Sequence, residues 1–335
     1  MSSRFSLLSR LTGDSRLTLS DRANRVETVN GIHCLLWRTH IHPFRSSNPL
    51  LNWLMNAIYA RYAEAPNATF DEVIAHASYI IVESSAAAIY IRRIRRLNPT
   101  AKVIYYAADR LDTVGAHPFI QRRLTEDDAL IDHFMLRSAK LKHDFPSAKG
   151  RLYKAGFGID PGAFDDVGPS PYPAGTTSAV SVGSMLFDPT PIQMAAPLFP
   201  DIEFYIIGSG MQFEAPANVH IHSEMPFAAT LPFVKHATVG IAPYRFTAGA
   251  DYLADSSLKL AQFEHLAIPA VCPSFAVGES PGRFGYDPGD TASIVSAFTA
   301  ARANAGLLVA RPFPAWVEIA RQVVEPQEWG APPIE

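Results

Sequence analysis

A group of side chains that could receive an anion lies in Tyr252-Leu253-Ala254-Asp255-Ser256-Ser257-Leu258-Lys259-Leu260-Ala261-Gln262. Asp255, Ser256 and Ser257 are all N-cap formers, and an apolar-periodic helix over Leu258–Leu266 follows at once. The start of such a helix presents unpaired N–H groups and the positive end of its dipole, which suits a phosphate. Lys259 and Gln262 are three apart and are expected to share one helix face with Asp255. A lysine one turn inside that helix adds positive charge where a pyrophosphate would lie. The same residues also satisfy a plain capped helix with one solvated lysine.

A second chemical group is Asp109, in Tyr106-Ala107-Ala108-Asp109-Arg110, just past the β-rich run Lys102–Tyr106. A carboxylate at a strand's carboxyl end can serve as a general base; it can equally cap a helix or pair with Arg110. Two His-x-His pairs, His40/His42 and His220/His222, each fall on one strand face, as metal ligands can, but no third ligand is marked. Gly208-Ser209-Gly210 follows a strand without completing a dinucleotide fingerprint, which disfavours a dinucleotide-dependent oxidoreductase. No Asp-x-Asp after an apolar strand, Gly-x-Ser-x-Gly elbow or Walker loop occurs.

These residues need a scaffold, and the chain alternates strands with helices. Gly31–Arg38, Ser78–Val82, Lys102–Tyr106 and His133–Leu136 read as strands, with helices over Leu51–Glu64 and Ala86–Leu97 between them. A break rich in turn formers spans Gly158–Pro173, and the pattern restarts with strands at Ala179–Val182, Glu203–Ile207, Val219–His222, Val239–Ala242 and Ala270–Cys272. Helices are expected at Thr230–His236 and at Pro314–Val324, the latter with an apolar stripe of Trp316, Ile319, Ala320 and Val323. Strands separated by helices predict doubly wound α/β folding with parallel sheets, and 335 residues suffice for two domains. Ligands of such sheets bind beyond the strands' carboxyl ends, which selects Gly183–Met185, Gly208–Gly210, Glu224-Met225, Tyr244 and the 252–262 segment.

Composition narrows the class. The chain is 48% hydrophobic and 18% charged, which excludes disorder, and Cys34 and Cys272 form no disulfide framework, as expected of a reducing compartment. The longest apolar stretch, around Ala77–Ile91, is interrupted by Glu83 and serines, and the first residues lack the apolar block of a signal peptide; a cytosolic protein is expected. Residues 1–150 hold 20 Lys and Arg against 14 Asp and Glu, while the remainder is acidic enough to bring the net charge to −3. The basic half, with its cluster Arg92, Arg93, Arg95 and Arg96, suits an anionic partner such as an acidic membrane surface, or else is a solvated charged face. Nucleic acid is not expected, because no aromatic-basic interleaving accompanies the cluster.

Val182–Pro189 (VGSMLFDP), Ile207–Met211 (IGSGM), Gly240–Tyr244 (GIAPY), Tyr252–Gln262, Pro269–Pro273 (PAVCP) and Arg283–Gly289 (RFGYDPG) closely resemble the GumK-type glucuronosyltransferases of xanthan-like polysaccharide synthesis. Ser9–Leu17, Leu36–Phe44 and Tyr105–Thr113 extend the resemblance through the N-terminal half. It implies a GT-B fold: two Rossmann-like domains facing a central cleft, here an acceptor- and membrane-facing domain over 1–160, a nucleotide-sugar domain over 161–312, and a C-terminal helix and tail over 313–335. It implies a membrane-associated, metal-independent and inverting enzyme. Such an enzyme, peripheral on the inner face of the plasma membrane, moves glucuronic acid from UDP-glucuronate to the mannose of a polyprenyl-diphosphate-linked oligosaccharide.

By that resemblance Asp109 matches the catalytic base, and Met185, Glu224, Met225, Tyr244, Leu253, Ser256, Ser257, Lys259 and Gln262 match the UDP-sugar site. Leu258 stands where the family pattern has methionine. The family's opening strand–loop–helix has no counterpart here, so an unpaired sheet edge is expected. A non-catalytic nucleotide-sugar-binding scaffold of a polysaccharide assembly complex is the competing expectation.

Overall fold

The apolar runs rich in Val, Ile and aromatic residues form parallel strands in two separate sheets. The computed structural model describes residues 5–6, 21–39 and 41–335; His40 and the Ser9–Leu17 motif lie outside the described residues. One unit takes the described residues up to Ala155 together with Gln322–Glu335, and the other takes Gly156–Arg321.

In the first unit, strands Tyr79–Glu83, Lys102–Ala107, His133–Leu136 and Leu152–Lys154 lie side by side in chain order, all parallel. His133–Leu136 is buried throughout, as an inner parallel strand covered on both faces must be. Tyr79–Glu83 is an edge strand: Ile80 and Val82 point into the core while Tyr79 and Ile81 are exposed. Gly31–Arg38 does not join this sheet. Ile32–Leu35 pairs antiparallel with Val26–Val29, because Asn30 and Gly31, at φ 51° and 79°, supply the left-handed pair that a two-residue hairpin turn requires.

The Arg92–Arg96 cluster is used internally. On the helix Ile91–Leu97, Arg92 pairs with Asp127 at 2.5 Å, Arg93 with Asp71 at 2.6 Å, Arg95 with Asp132 at 2.7 Å and Arg96 with Glu64 at 2.5 Å. The carboxylates come from distant sequence positions, so the cluster's pairing could not be read locally. Within the same unit, Glu325 holds the C-terminal segment by accepting from Lys102 at 2.7 Å and Tyr79 at 2.6 Å. Of the stripe on helix Trp316–Val324, Ile319 and Val323 are buried, whereas Trp316 and Ala320 are exposed.

The second unit has six parallel strands in the spatial order Val219–His222, Ile202–Ile207, Thr177–Val182, Val239–Ile241, Ala270–Pro273, Arg283–Tyr286. In chain order this is 3-2-1-4-5-6, the Rossmann arrangement, whose strand order reverses between Thr177–Val182 and Val239–Ile241. Ile192, Phe204, Ile206, Ile241, Val271 and Phe298 fill its core. Gly240, on a central strand, packs face to face with Phe263: an added Cβ would lie 2.4 Å from the ring. Gly240→Ala is therefore expected to destabilise the protein by about 1–3 kcal/mol through overpacking. An unchanged denaturant midpoint would contradict that packing.

Candidate active site

The 252–262 segment folds as an elbow rather than one helix. Leu253–Ser256 is a short helical turn, Ser257 is extended at φ −84° and ψ 106°, and Leu258–His265 is the helix proper. Asp255 therefore does not share a helix face with Lys259 and Gln262, contrary to the spacing argument, because the chain bends between them at Ser257. Ser257 is the N-cap: its Oγ accepts from the Leu260 N–H at 3.2 Å and shares a hydrogen bond with the Tyr244 hydroxyl at 2.5 Å. Ser256 Oγ is buried and makes no hydrogen bond among the described residues. Leu253 is 1% exposed, so it anchors the elbow from within rather than lining the surface a ligand would meet.

Lys259 reaches from the first turn of the helix across the sheet's carboxyl edge. Its Nζ lies 3.3 Å from Ser181 Oγ, at the end of the strand Thr177–Val182, and 5.4 Å from the centre of the Tyr244 ring. No carboxylate pairs with it among the described residues, and although some of the side chain still meets solvent, desolvation pushes its ammonium down to about 7. A lysine without a carboxylate partner among the described residues, in the first turn of a helix and three residues after a buried hydroxyl that makes no hydrogen bond there, is prepared for an anion. Gln262 follows one turn further along the same helix, half-buried.

The loops after the first two strands of this unit complete the edge. A cavity of about 250 Å³ is lined by Ser184, Gly208, Ser209, Gly210, His222 and Glu224, among others. Gly208, at φ 63°, leaves space into which Glu224 packs: an added Cβ would lie 3.4 Å from Glu224 Cα. Met185 is exposed beside it and Met225 half-buried. Leu186 sits at φ 48°, a conformation unusual for leucine, with its carbonyl held by the Arg245 N–H at 2.7 Å. Backbone strain of this kind concentrates at ligand sites.

Asp109 belongs to the first unit, in the turn after Lys102–Ala107. Ser84, at the end of the neighbouring strand, fixes that turn: its Oγ accepts from the N–H groups of Ala108 at 3.0 Å and Asp109 at 3.1 Å. Nothing in the sequence marked Ser84. Next to this turn is a cavity of about 410 Å³, lined in part by Arg45, Arg110, Asp112, His117, Arg122 and Asp144. Arg110 bridges Asp112 and Asp144, each at 3.1 Å. His117 caps the helix Pro118–Glu126, its Nδ1 accepting from the Phe119 N–H at 3.1 Å. Burial first, then the Arg122 and Arg45 charges, push the ring's pKa down, against the Asn52 backbone. The ring's shifted pKa and its Nδ1 acceptor role favour the neutral form with the proton on a buried Nε2. The solvent-reachable donors and acceptors of the cavity, Arg45, Arg110, Asp112 and Arg122, form a set that suits the hydroxyls of a sugar.

His220 and His222 serve packing. Tyr205 stacks on His220 at 4.7 Å and on His222 at 6.0 Å between ring centres, and Glu203 takes the His220 Nε2 at 2.6 Å. No group of three or more His, Cys, Asp or Glu side chains is placed to hold a metal ion among the described residues.

Comparison with known proteins bears on both units. A family model described as the N-terminal domain of glucuronosyltransferase GumK matches residues 1–137. The chain is 40% identical over 301 residues to a UDP-glucuronate:glycolipid 2-beta-glucuronosyltransferase of Xanthomonas campestris pv. campestris, covering 89% of this chain and 74% of that protein. Among solved structures, a UDP-forming alpha,alpha-trehalose-phosphate synthase from Burkholderia xenovorans, in complex with glucose-6-phosphate, superposes with a TM-score of 0.55 at 11% identity, covering 84% of this chain and 83% of that one. The N-terminal domain of Candida albicans trehalose-6-phosphate phosphatase superposes with a TM-score of 0.51 at 10% identity, covering 78% and 71%. At such identities the structures speak for the fold alone, the GT-B class of paired Rossmann-like α/β units.

Proposed function

We propose, from the premise that this chain belongs to the GumK glucuronosyltransferase family, that it transfers glucuronic acid from UDP-glucuronate to a glycolipid. The observation that carries this reading is Lys259, without a carboxylate partner among the described residues, at the N-terminus of Leu258–His265 and three residues after Ser256, whose buried hydroxyl makes no hydrogen bond among them either. The donor's diphosphate would sit on that helix start and on Lys259, with Tyr244, Ser257, Gln262, Met185, Glu224 and Met225 around it and Leu253 packed beneath the elbow.

In the proposed reaction Asp109 removes the proton of one acceptor hydroxyl. The freed oxygen attacks the anomeric carbon as the bond from that carbon to the UDP oxygen breaks, inverting the configuration. The negative charge appearing on UDP is met by the helix dipole and Lys259, so the reading needs no metal. The cavity beside Asp109, with Arg110, His117 and Asp144, would hold the acceptor's sugar, proposed to be the mannose of a polyprenyl-diphosphate-linked oligosaccharide. UDP release from UDP-glucuronate that requires a lipid-linked acceptor is the expected result. Binding of UDP without acceptor-dependent turnover would instead make the chain a nucleotide-sugar-binding scaffold.

A lipid-linked acceptor asks for contact with a membrane surface, on the inner face of the plasma membrane in this reading. No helix is long and apolar enough to cross a membrane among the described residues. The helix Pro49–Tyr62 offers another mode: Leu50, Trp53, Leu54 and Ile58 are exposed, Trp53 at 68%, while Met55, Tyr59 and Tyr62 are buried. The helix has no acidic residue and carries Arg61 in its last turn. An apolar face ending in a cation fits the interfacial mode of binding. Replacing Trp53 and Leu54 together by serine is expected to weaken sedimentation with anionic vesicles at least about tenfold. Unaltered sedimentation would remove this helix from membrane contact.

A further inference from the structure

Both arms of the donor elbow converge on one buried arginine. Arg283 opens the strand Arg283–Tyr286, and its side chain is 7% exposed. Nη1 donates to the Ala254 carbonyl at 2.5 Å and to the Ala276 and Val277 carbonyls at 3.2 Å each. Nη2 pairs with Glu264, in the last turn of Leu258–His265. Ala254 lies in the short helix before the bend, and Ser256, Ser257 and Lys259 all lie between Ala254 and Glu264 in sequence.

A guanidinium is a rigid plane whose donors leave in fixed directions. One group bonded to both Ala254 and Glu264 therefore fixes how far apart the two arms stand, and with it the bend at Ser257. The chain also closes tightly on this point. Gly278, at φ 62°, approaches so near that an added Cβ would lie 3.3 Å from Ala254 Cβ and 3.6 Å from Arg283 Nη1. Glu264 has a second cationic partner, Arg311 at 3.1 Å, but that guanidinium is largely exposed and, among the described residues, bonds to neither Ala254 nor Ser257.

We infer that Arg283 is a positioning residue for the donor: by tying Ala254 to Glu264 it holds Ser256, Ser257 and Lys259 in the geometry that receives the diphosphate. The inference rests on the proposed reading of this elbow as the donor site. Arg283→Lys keeps the charge, but the three donors of an ammonium radiate from one nitrogen and cannot span both arms.

The test titrates UDP by calorimetry into wild type, Arg283→Lys, Gly278→Ala and Arg311→Gln, each below its own melting temperature, and measures donor and acceptor KM separately. Arg283→Lys is expected to weaken UDP and raise the donor KM by about 10- to 100-fold, the scale of a misplacement near 1 Å, with the acceptor KM unmoved. Arg311→Gln is expected to leave both unmoved. In the Arg283→Lys background, Lys259→Ala should cost less than in wild type, since the lysine is already misplaced. A folded Arg283→Lys with wild-type UDP affinity, only melting earlier, would overturn the inference and leave the donor site standing. Wild type that fails to bind UDP would overturn the donor-site reading itself. If Arg283→Lys does not fold, Gly278→Ala decides: it crowds the same junction with the arginine in place, so weaker UDP binding supports the inference and unchanged binding overturns it.

Discussion

Asp109→Asn is expected to bind UDP-glucuronate as wild type does and to transfer glucuronic acid about 10²–10⁴-fold more slowly, the usual contribution of a general base. The substitution is close to isosteric, and the turn it sits in is fixed through backbone N–H groups that Ser84 accepts, so the local fold has little reason to change. What the amide lacks is the capacity to take a proton from the acceptor hydroxyl. Asp109 lies in the first unit and the proposed donor elbow in the second, so the contacts proposed for the donor in Gly156–Arg321 are expected to be untouched by the change. The rate is best read in a single turnover with a lipid-linked acceptor, where product release does not mask chemistry, alongside a UDP-glucuronate titration. A folded variant turning over at near wild-type rate would take Asp109 out of the mechanism. Loss of donor binding together with rate would point to a structural role instead.

The contrast between Asp109 and Lys259 shows what a sequence can and cannot disclose. Strand periodicity and the turn-rich break made both parallel sheets legible apart from their strands Leu152–Lys154 and Arg283–Tyr286, and with them the carboxyl edges where ligands bind. The elbow was legible as an N-cap followed by a lysine, because capping is a local matter of three or four residues. Its bend was not: Asp255, Ser256 and Ser257 cap equally well on paper, and the Tyr244 hydroxyl and the Leu260 N–H both select Ser257. The arginine cluster misled for the same reason, since Asp71, Asp127, Asp132 and Glu64 reach it only through tertiary packing. The hairpin at Asn30-Gly31 was a different case, with its signal fully local and hidden by a strand pattern of the same period. Ser84 and Arg283 carry no local signal at all, because their partners lie 24 and 29 residues away for the bonds that matter.

Lys259→Ala is expected to weaken UDP binding by about 10- to 150-fold, the range of a charge-assisted hydrogen bond worth about 1.5–3 kcal/mol. Which donors suffer tells where the ammonium points. If it meets only the diphosphate, UDP, UDP-glucose and UDP-glucuronate weaken together; if it also meets the sugar carboxylate, UDP-glucuronate loses more than UDP-glucose. The larger loss is expected on the diphosphate, because the helix start already gathers phosphate there. A pH series adds a second signature. In the free protein burial pushes the lysine down to about 7, and an anion beside it favours the charged form, so donor binding raises that value. Below pH 7 the lysine is already charged and binding takes up no proton. Above it, each bound UDP-glucuronate brings in a proton, and affinity falls by up to about tenfold per pH unit until the bound-state value is reached. Stability of the free protein runs the other way. Between about 7 and the ordinary 10.5 the unfolded chain holds more protons at this position, so the contribution of Lys259 to stability increases as pH rises. Donor affinity and ligand-free stability should thus diverge with pH in wild type, and the lysine's share of both slopes should vanish in Lys259→Ala. Affinities for all three nucleotides that ignore the substitution, at every pH, would place the donor elsewhere.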